Sequence, residues 1–265
     1  SFCLPAFATS TPTKGTSAVQ ANSTSTATIN VATGNANDTL NAYKVVEVTL
    51  DEASNKLDME FTETFQAFLT ATNNRMTVAD YAKLTSSGAW DGKDYVGESG
   101  AELRELLGAF SAYVKSNDVT VDYTTTTNDN GVAAFNNVAM GQYIILGAGN
   151  SQGALIYQTV TAEVVPFVNE SENRYDIYPS YDVTMKTSKP SIDKNITAGD
   201  VKDDTLDNNK ADTGDKHDKH QATANIGDTL TYTLKVAVPT YPEGATNKTF
   251  YIGDTLSKGL KLNAG

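Results

Sequence analysis

In Asp228-Thr229-Leu230-Thr231-Tyr232-Thr233-Leu234-Lys235-Val236-Ala237-Val238, apolar and polar side chains alternate from Leu230 to Val236. A period of two marks a β-strand with one face turned to a core. Leu230, Tyr232, Leu234, Val236 and Val238 make up the apolar face. Downstream, Phe250, Ile252, Asp254 and Leu256 share one parity, which predicts a strand over 249–256. Upstream, a polar stretch (199–221) separates the strand from Ser191-Ile192-Asp193-Lys194-Asn195-Ile196, a further period-two segment.

The same period recurs nearer the N-terminus. Ala42-Tyr43-Lys44-Val45-Val46-Glu47-Val48-Thr49-Leu50 reads as a strand, and parity puts Lys44 on one face with Val46, Val48 and Leu50. Further strands are expected at 119–124, 132–138, 141–147, 154–166 and 174–184, with Asn128-Asp129-Asn130-Gly131 as a turn. Between 50 and 117 the period changes to that of a helix. Leu57, Phe61, Phe65, Phe68 and Leu69 form one stripe. Thr77-x-x-Asp80 opens a second, short helix through Leu84. Ser99-x-x-Glu102 precedes the stripe Leu103, Leu106, Leu107, Phe110 and Val114. All three stripes are most simply core-facing.

The chain has 265 residues and a net charge of −12. That balance argues against nucleic acid, which needs a basic face, and against adsorption to anionic lipid. No apolar run is long enough to span a bilayer, so no membrane contact is expected. The single cysteine, Cys3, precedes Ala6-Phe7-Ala8, a small-x-small cleavage pattern. Residues 1–8 therefore read as the tail of a secretory signal peptide, and 9–26 as a flexible leader. The remaining organisation is an N-terminal domain over 27–185 with a helical insertion, a linker over 186–190, and a second domain from 191 to 265. The fold class is mainly β, in tandem immunoglobulin-like sandwiches. Only the N-terminal part of the second is expected within this sequence.

Three ionisable residues stand where parity calls for a hydrophobe: Lys44, Lys194 and Asp254. A lone buried lysine tends to lose its proton and a lone buried carboxyl to gain one. Placed together in an apolar layer, the two share one proton. The neutral amine is then a nucleophile, and the protonated carboxyl polarises a side-chain amide. Attack on an asparagine carboxamide releases ammonia and leaves an isopeptide bond, a staple suited to an exported protein without disulfides. The alternative is an edge position or a partly solvated ion pair.

Gly227-Asp228-Thr229-Leu230-Thr231-Tyr232-Thr233-Leu234, Pro239-x-Tyr241-Pro242, Asn247-Lys248-Thr249-Phe250 and Asp254-Thr255-Leu256-Ser257-Lys258-Gly259-Leu260 closely resemble the isopeptide-forming second domain of Gram-positive sortase-assembled pilins. Lys189-Pro190-x-x-x-Lys194 fits that domain's first strand. Tyr175-Asp176-Ile177-Tyr178-Pro179 resembles the end of the family's N-terminal domain. Thr127 to Gly131, Phe135, Gly141-Gln142-Tyr143 and the helical segment ending ELRELLGAFSAYV resemble a collagen-adhesin B-type fold. The resemblance implies that Lys194 is the isopeptide lysine, that Asp254 promotes the bond, and that the acceptor asparagine lies beyond residue 265.

Two positions depart from the family pattern. The sortase acceptor lysine after Tyr-Pro is replaced by Ser180, which leaves Lys186 and Lys189 as substitutes. The asparagine expected next is Tyr181, so Lys44 lacks its usual acceptor and needs an ion-paired or hydrogen-bonded neighbour instead. The implied function is a structural subunit of a cell-surface pilus mediating adhesion, extracellular and wall-anchored, and not an enzyme. Its implied partners are other pilin subunits and sortase, with host extracellular matrix or glycans as adhesion ligands. The alternatives are a non-polymerising wall-anchored adhesin, or a secreted enzyme carrying these modules as a stalk. No cofactor or metal is expected. His217-x-x-His220 lies in a polar loop, and Asp207 to Asp215 lacks calcium-loop spacing.

Overall fold

The computed structural model describes residues 10–87, 98–150, 155–188, 190–199, 224–239, 241 and 250–263. Residues 1–8, Lys189 and the 201–220 loop, named above, lie outside this set. The chain divides into two compact units, Lys189–Thr240 and the remainder.

The larger unit carries β1 (Thr11–Pro12), β2 (Val19–Gln20), β3 (Thr26–Ala32), β4 (Asp38–Asp51) and β5 (Lys56–Phe61). Three helices follow: α1 (Glu63–Ala71), α2 (Val78–Ser87) and α3 (Glu98–Ser116). Then come β6 (Tyr123–Thr126), β7 (Val132–Ala139), β8 (Gly141–Asn150), β9 (Ile156–Tyr157), β10 (Val160–Val164), β11 (Phe167–Asn169), β12 (Arg174–Ile177), β13 (Ser180–Thr184) and β14 (Thr187–Ser188). One sheet has the order β1-β13-β3-β7. The second has the order β10-β8-β4-β5, with β6 also on β4. β13 runs parallel to β3, and every other pairing in these two sheets is antiparallel.

A single hydrophobic cluster joins the sheets and helices. Ile29, Val31, Phe135 and Val183 enter it from the first sheet, Leu40, Val46, Ile145 and Val164 from the second. Phe65 of α1 lies 5.5 Å from Tyr81 and 5.6 Å from Phe110, and Phe110 stands edge-on to Tyr43 of β4 at 5.9 Å. The helical stripes are thus core-facing. The first is shorter than its periodicity suggests, because Leu57 and Phe61 belong to β5, a strand paired with β4. Its helix begins where Thr62 caps it, accepting from the Phe65 amide at 3.3 Å. Thr77 and Asp80 exchange hydrogen bonds ahead of α2, as the capping pattern requires.

The leader departs from expectation. The described part of that segment, 10–26, is not a free tail, since β1 pairs with β13 and β2 with β12. Ser10 hydroxyl accepts from the Glu163 amide of β10 at 2.8 Å, while the Thr13 amide donates to Ser180 carbonyl at 2.9 Å. One short segment therefore straps the edges of both sheets. Low hydrophobicity hid it, because its grip is polar. The expected linker is likewise tied down: β14 pairs with β9, and Asn35 Nδ2 donates to Thr187 Oγ1 at 2.8 Å. The expected strand over 154–166 is broken into β9 and β10.

Asp38, at the start of β4, is fully buried. Its carboxylate accepts from Thr33 hydroxyl, from Asn150 Nδ2 at 2.5 Å and from Tyr157 hydroxyl at 2.8 Å. Its amide donates to Thr127 Oγ1 at 2.8 Å, and Thr127 in turn donates to Asn35 carbonyl at 2.6 Å. Burial and the Asp38 carboxylate together push the Tyr157 phenol up. The Tyr157 ring lies over Gly147, where a Cβ would come within 2.0 Å of it.

In the smaller unit, β15 (Ser191–Gly199) pairs antiparallel with β16 (Leu230–Ala237). The strand expected over 249–256 is not formed among the described residues. Residues 250–256 carry no strand pairing, and Tyr251, Ile252 and Leu256 are exposed.

Asp38→Ala removes an acceptor shared by three donors, Thr33, which is buried, and Asn150 and Tyr157, which are half-buried. An unsatisfied buried polar group costs about 1–3 kcal/mol, so the expected loss is about 2 kcal/mol or more. At roughly 2–4 °C per kcal/mol, thermal unfolding should fall by about 4 °C or more. A drop under about 2 °C would show that solvent replaces the carboxylate.

Candidate functional site

Lys44 illustrates how one inserted residue re-aims a side chain. β4 and β8 pair Lys44 with Tyr143 and Val46 with Gln142, leaving Val45 as a bulge. A single extra residue reverses the parity of everything on one side of it. Lys44 consequently does not share a face with Val46, Val48 and Leu50, as plain alternation predicts. It shares one with Glu47, and its Nζ lies 3.0 Å from the Glu47 carboxylate. The Lys44 side chain is 14% exposed and that of Glu47 49%. Gly141 lies across from this bulge. A Cβ there would fall 2.7 Å from Val46 carbonyl and 3.1 Å from Lys44 Cε, so the partner strand needs a residue without a side chain.

Lys44 and Tyr181 lie in different sheets. Tyr181 is buried on β13, paired with Ile29 of β3, and burial pushes its phenol up to about 12. The strands running beside β13 are β1 and β3, not the strand that carries Lys44.

Ser180 is half-buried beneath the strap. Its hydroxyl lies 2.8 Å from Thr13 Oγ1 and accepts from Asn30 Nδ2 at 3.0 Å. Thr13 hydroxyl and Asn30 Nδ2 also donate to Asp182 Oδ1, at 2.7 and 2.9 Å. Lys186 is exposed, on a backbone fixed by bonds from Met185 amide to Ala32 carbonyl and from Gln158 amide to Lys186 carbonyl, each 2.9 Å.

On the hairpin of the smaller unit the register puts Lys194 opposite Leu234, Ile192 opposite Val236 and Ile196 opposite Tyr232. Directly paired residues share a face, so Lys194 stands in the middle of an apolar patch. Ile196 is 6% exposed, whereas Ile192 is 54% and Leu234 38% exposed. Lys194 Nζ lies over the Tyr232 ring, 4.7 Å from its centroid. The opposite face holds Asp193, Asn195 and Lys235. Asn195 is buried; its Nδ2 donates to Asp193 Oδ2 at 2.8 Å, and its Oδ1 has no partner among the described residues. Asp254 belongs to the other compact unit and, contrary to the inward parity expected of it, lies exposed outside any strand. Alternation fails there because the segment has no neighbouring strand to set its faces.

Three features escaped sequence reasoning. The Asp38 cluster sits in Asn35-Ala36-Asn37-Asp38, which reads as a solvated turn. The Thr13–Ser180 network joins residues far apart in the chain. The buried Asn195 carries no signal beyond its place next to Lys194. Among the described residues no group of side chains is suited to hold a metal ion, and no helix is long and apolar enough to cross a membrane.

No family model matches the chain. It is 31% identical over 121 residues to the trypsin-resistant surface T6 protein of Streptococcus pyogenes serotype M6, which takes in 45% of this chain and 18% of that protein. The structure of the T6 backbone pilin of serotype M6 S. pyogenes, described as a modular three-domain structure, aligns over 87% of this chain and 39% of its own. The TM-score is 0.51 and the identity 17%. The fimbrial protein FimP of Actinomyces oris aligns at a TM-score of 0.34 and 14% identity, over 68% of this chain and 34% of its own. That value is too low to argue from. The chain thus spans less than half the length of the pilins it resembles, and it shares the mainly β fold of the T6 backbone pilin.

Glu47→Ala should cost about 1 kcal/mol, between the values for surface and buried pairs. Lys44→Met should cost less, because the Glu47 left behind is solvated. Denaturant unfolding of both variants checks this order, and peptides containing Lys44 should appear uncross-linked in a digest. A costlier Lys44→Met, or a cross-linked peptide, would give Lys44 a role beyond the ion pair.

Proposed function

We propose that this chain is part of a structural subunit of a Gram-positive cell-surface pilus, extracellular and wall-anchored, with adhesion as its task. The observation that carries the reading is the place of Lys194, an amine centred on the apolar face of a hairpin and opposite Leu234. Similarity to a pilin in both sequence and fold supports it. In this reading Lys194 becomes the amine partner of an isopeptide bond. Burying the apolar patch desolvates the amine and favours its neutral, nucleophilic form. Its Nζ attacks an asparagine Cγ, the Cγ–Nδ2 bond breaks and ammonia leaves, with Asp254 as the proton-sharing acid. Assigning that role to Asp254 rests on the sequence resemblance and requires residues 250–256 to pack against the hairpin. The subunit's partners are then other pilin subunits and sortase, with host matrix or glycans as ligands. Its only chemistry is self-modification, without turnover.

One observation favours the alternative of a tip subunit or non-polymerising adhesin. Sortase joining needs a primary amine, and Ser180 offers a hydroxyl already engaged by Thr13 and Asn30. Lys186, exposed on a fixed backbone, is the candidate acceptor among the described residues, and Lys189 lies beside it in sequence.

Two measurements on the full-length protein test this. Its intact mass should be short by one ammonia, with the deficit lost in Lys194→Ala and in Asp254→Ala. A full mass in the wild type ends the isopeptide reading. Expression with a cognate sortase should give a high-mass ladder that disappears when Lys186 and Lys189 are both changed to alanine. A ladder surviving the double change eliminates both acceptors, and the absence of any ladder favours the tip or adhesin reading.

A further inference from the structure

We infer that the groove between the three helices is a binding site for a lysine side chain presented by another polypeptide. The groove has a volume of about 420 Å³ and is lined by residues from α1, the α1–α2 connection, α2 and α3. That lies within the range of about 300–1,000 Å³ typical of ligand sites. Its floor is apolar: Phe68, Leu84 and Leu106 are each no more than 6% exposed, with Met76 beside them.

The polar part of the lining decides the ligand. Thr72 hydroxyl is occupied by Phe68 carbonyl, to which it donates at 2.9 Å, and Asn74 Oδ1 is taken by the Met76 amide at 2.9 Å. Glu102 and Glu105, both exposed on α3, supply the rest. Ionised carboxylates accept hydrogen bonds and cannot donate them. The ligand must therefore bring donors and positive charge on an apolar stem. A lysine meets both demands, its methylenes on Phe68, Met76 and Leu106 and its ammonium between the two glutamates. Arg75, Lys83 and Arg104 lie on the same segments but do not line the groove. An anionic ligand would face these carboxylates and a chain of net charge −12. A neutral sugar brings donors but no positive charge to offset the two carboxylates. The helices are an insertion between β5 and β6, so the site can vary without touching the pairing of the two sheets. This inference does not depend on the pilus reading.

The test titrates the full chain with a capped Gly-Lys-Gly peptide, following the Met76 methyl and Ala109 amide signals by NMR. Saturable shifts confined to the groove are expected at millimolar concentration. They should weaken at least about tenfold in the Glu102→Gln, Glu105→Gln double variant and several-fold between about 0.1 M and 1 M salt. Ala109→Met, which fills a partly exposed position in the groove, should abolish them while leaving the rest of the spectrum unchanged. Peptides with Nε-acetyl-lysine or glutamate in place of lysine should not saturate, and spermidine should bind no more tightly than the lysine peptide. Overturning results are equal binding of the acetylated peptide, retention in the double glutamine variant, tighter binding of spermidine, or no saturation by about 10 mM.

Discussion

The larger unit depends on one buried carboxylate. Asp38 sits where four chain segments meet: the β3–β4 turn through Thr33, the β6–β7 turn through Thr127, the end of β8 through Asn150, and β9 through Tyr157. Its carboxylate accepts from neutral donors. A carboxylate in such a place is tolerated only when nearly every lone pair is satisfied, so the four segments must arrive together. β9 then holds β14, the last strand before the chain passes into the second unit. A sandwich without cysteine in its described residues has no disulfide to fix the end of one unit before the next begins. Here a polar knot performs that task.

β4, β7 and β8 cover the segments where period-two strands were expected, and the three helical stripes face the core. Legibility failed in three physically distinct ways. At Lys44 alternation holds on both sides of the bulge but not across it, and nothing in Lys44-Val45-Val46-Glu47 announces an unpaired residue. The small residue opposite, Gly141, is the trace it leaves in the sequence. Along 250–256 the alternation is present but no neighbouring strand turns it into faces. In the leader the reverse holds: Thr11, Pro12 and Thr13 have no apolar periodicity, yet hydrogen bonds order them.

The candidate site was readable to the same degree. Lys194 was identified by its apolar neighbours in sequence, and the register places it among the apolar residues of the facing strand as well. Lys44 was identified by the same argument and turned out to have an ordinary carboxylate partner. The two lysines looked alike because parity counts neighbours along one strand, whereas the environment of an amine is set across strands. Lys194 faces Leu234 and Tyr232; Lys44 faces Tyr143 and Glu47. Of the two, Lys194 is the one set among apolar residues of the facing strand, as the proposed chemistry requires.

The ordered leader and the serine at position 180 are two aspects of one arrangement. β1 lies along β13 at Asp182 and Tyr181, and Thr13 closes over Ser180. The space above residue 180 is therefore filled by backbone and by a hydroxyl-sized side chain. A lysine at this position would have to direct its stem past Thr13 or displace it, and its ammonium would compete with Asn30 and Thr13 for Asp182. A short hydroxyl fits beneath the strap and joins its network. A reactive amine needs the strap elsewhere. In the proposed reading the acceptor lies past the end of β13, where Lys186 is exposed on a backbone held by bonds to Ala32 and Gln158.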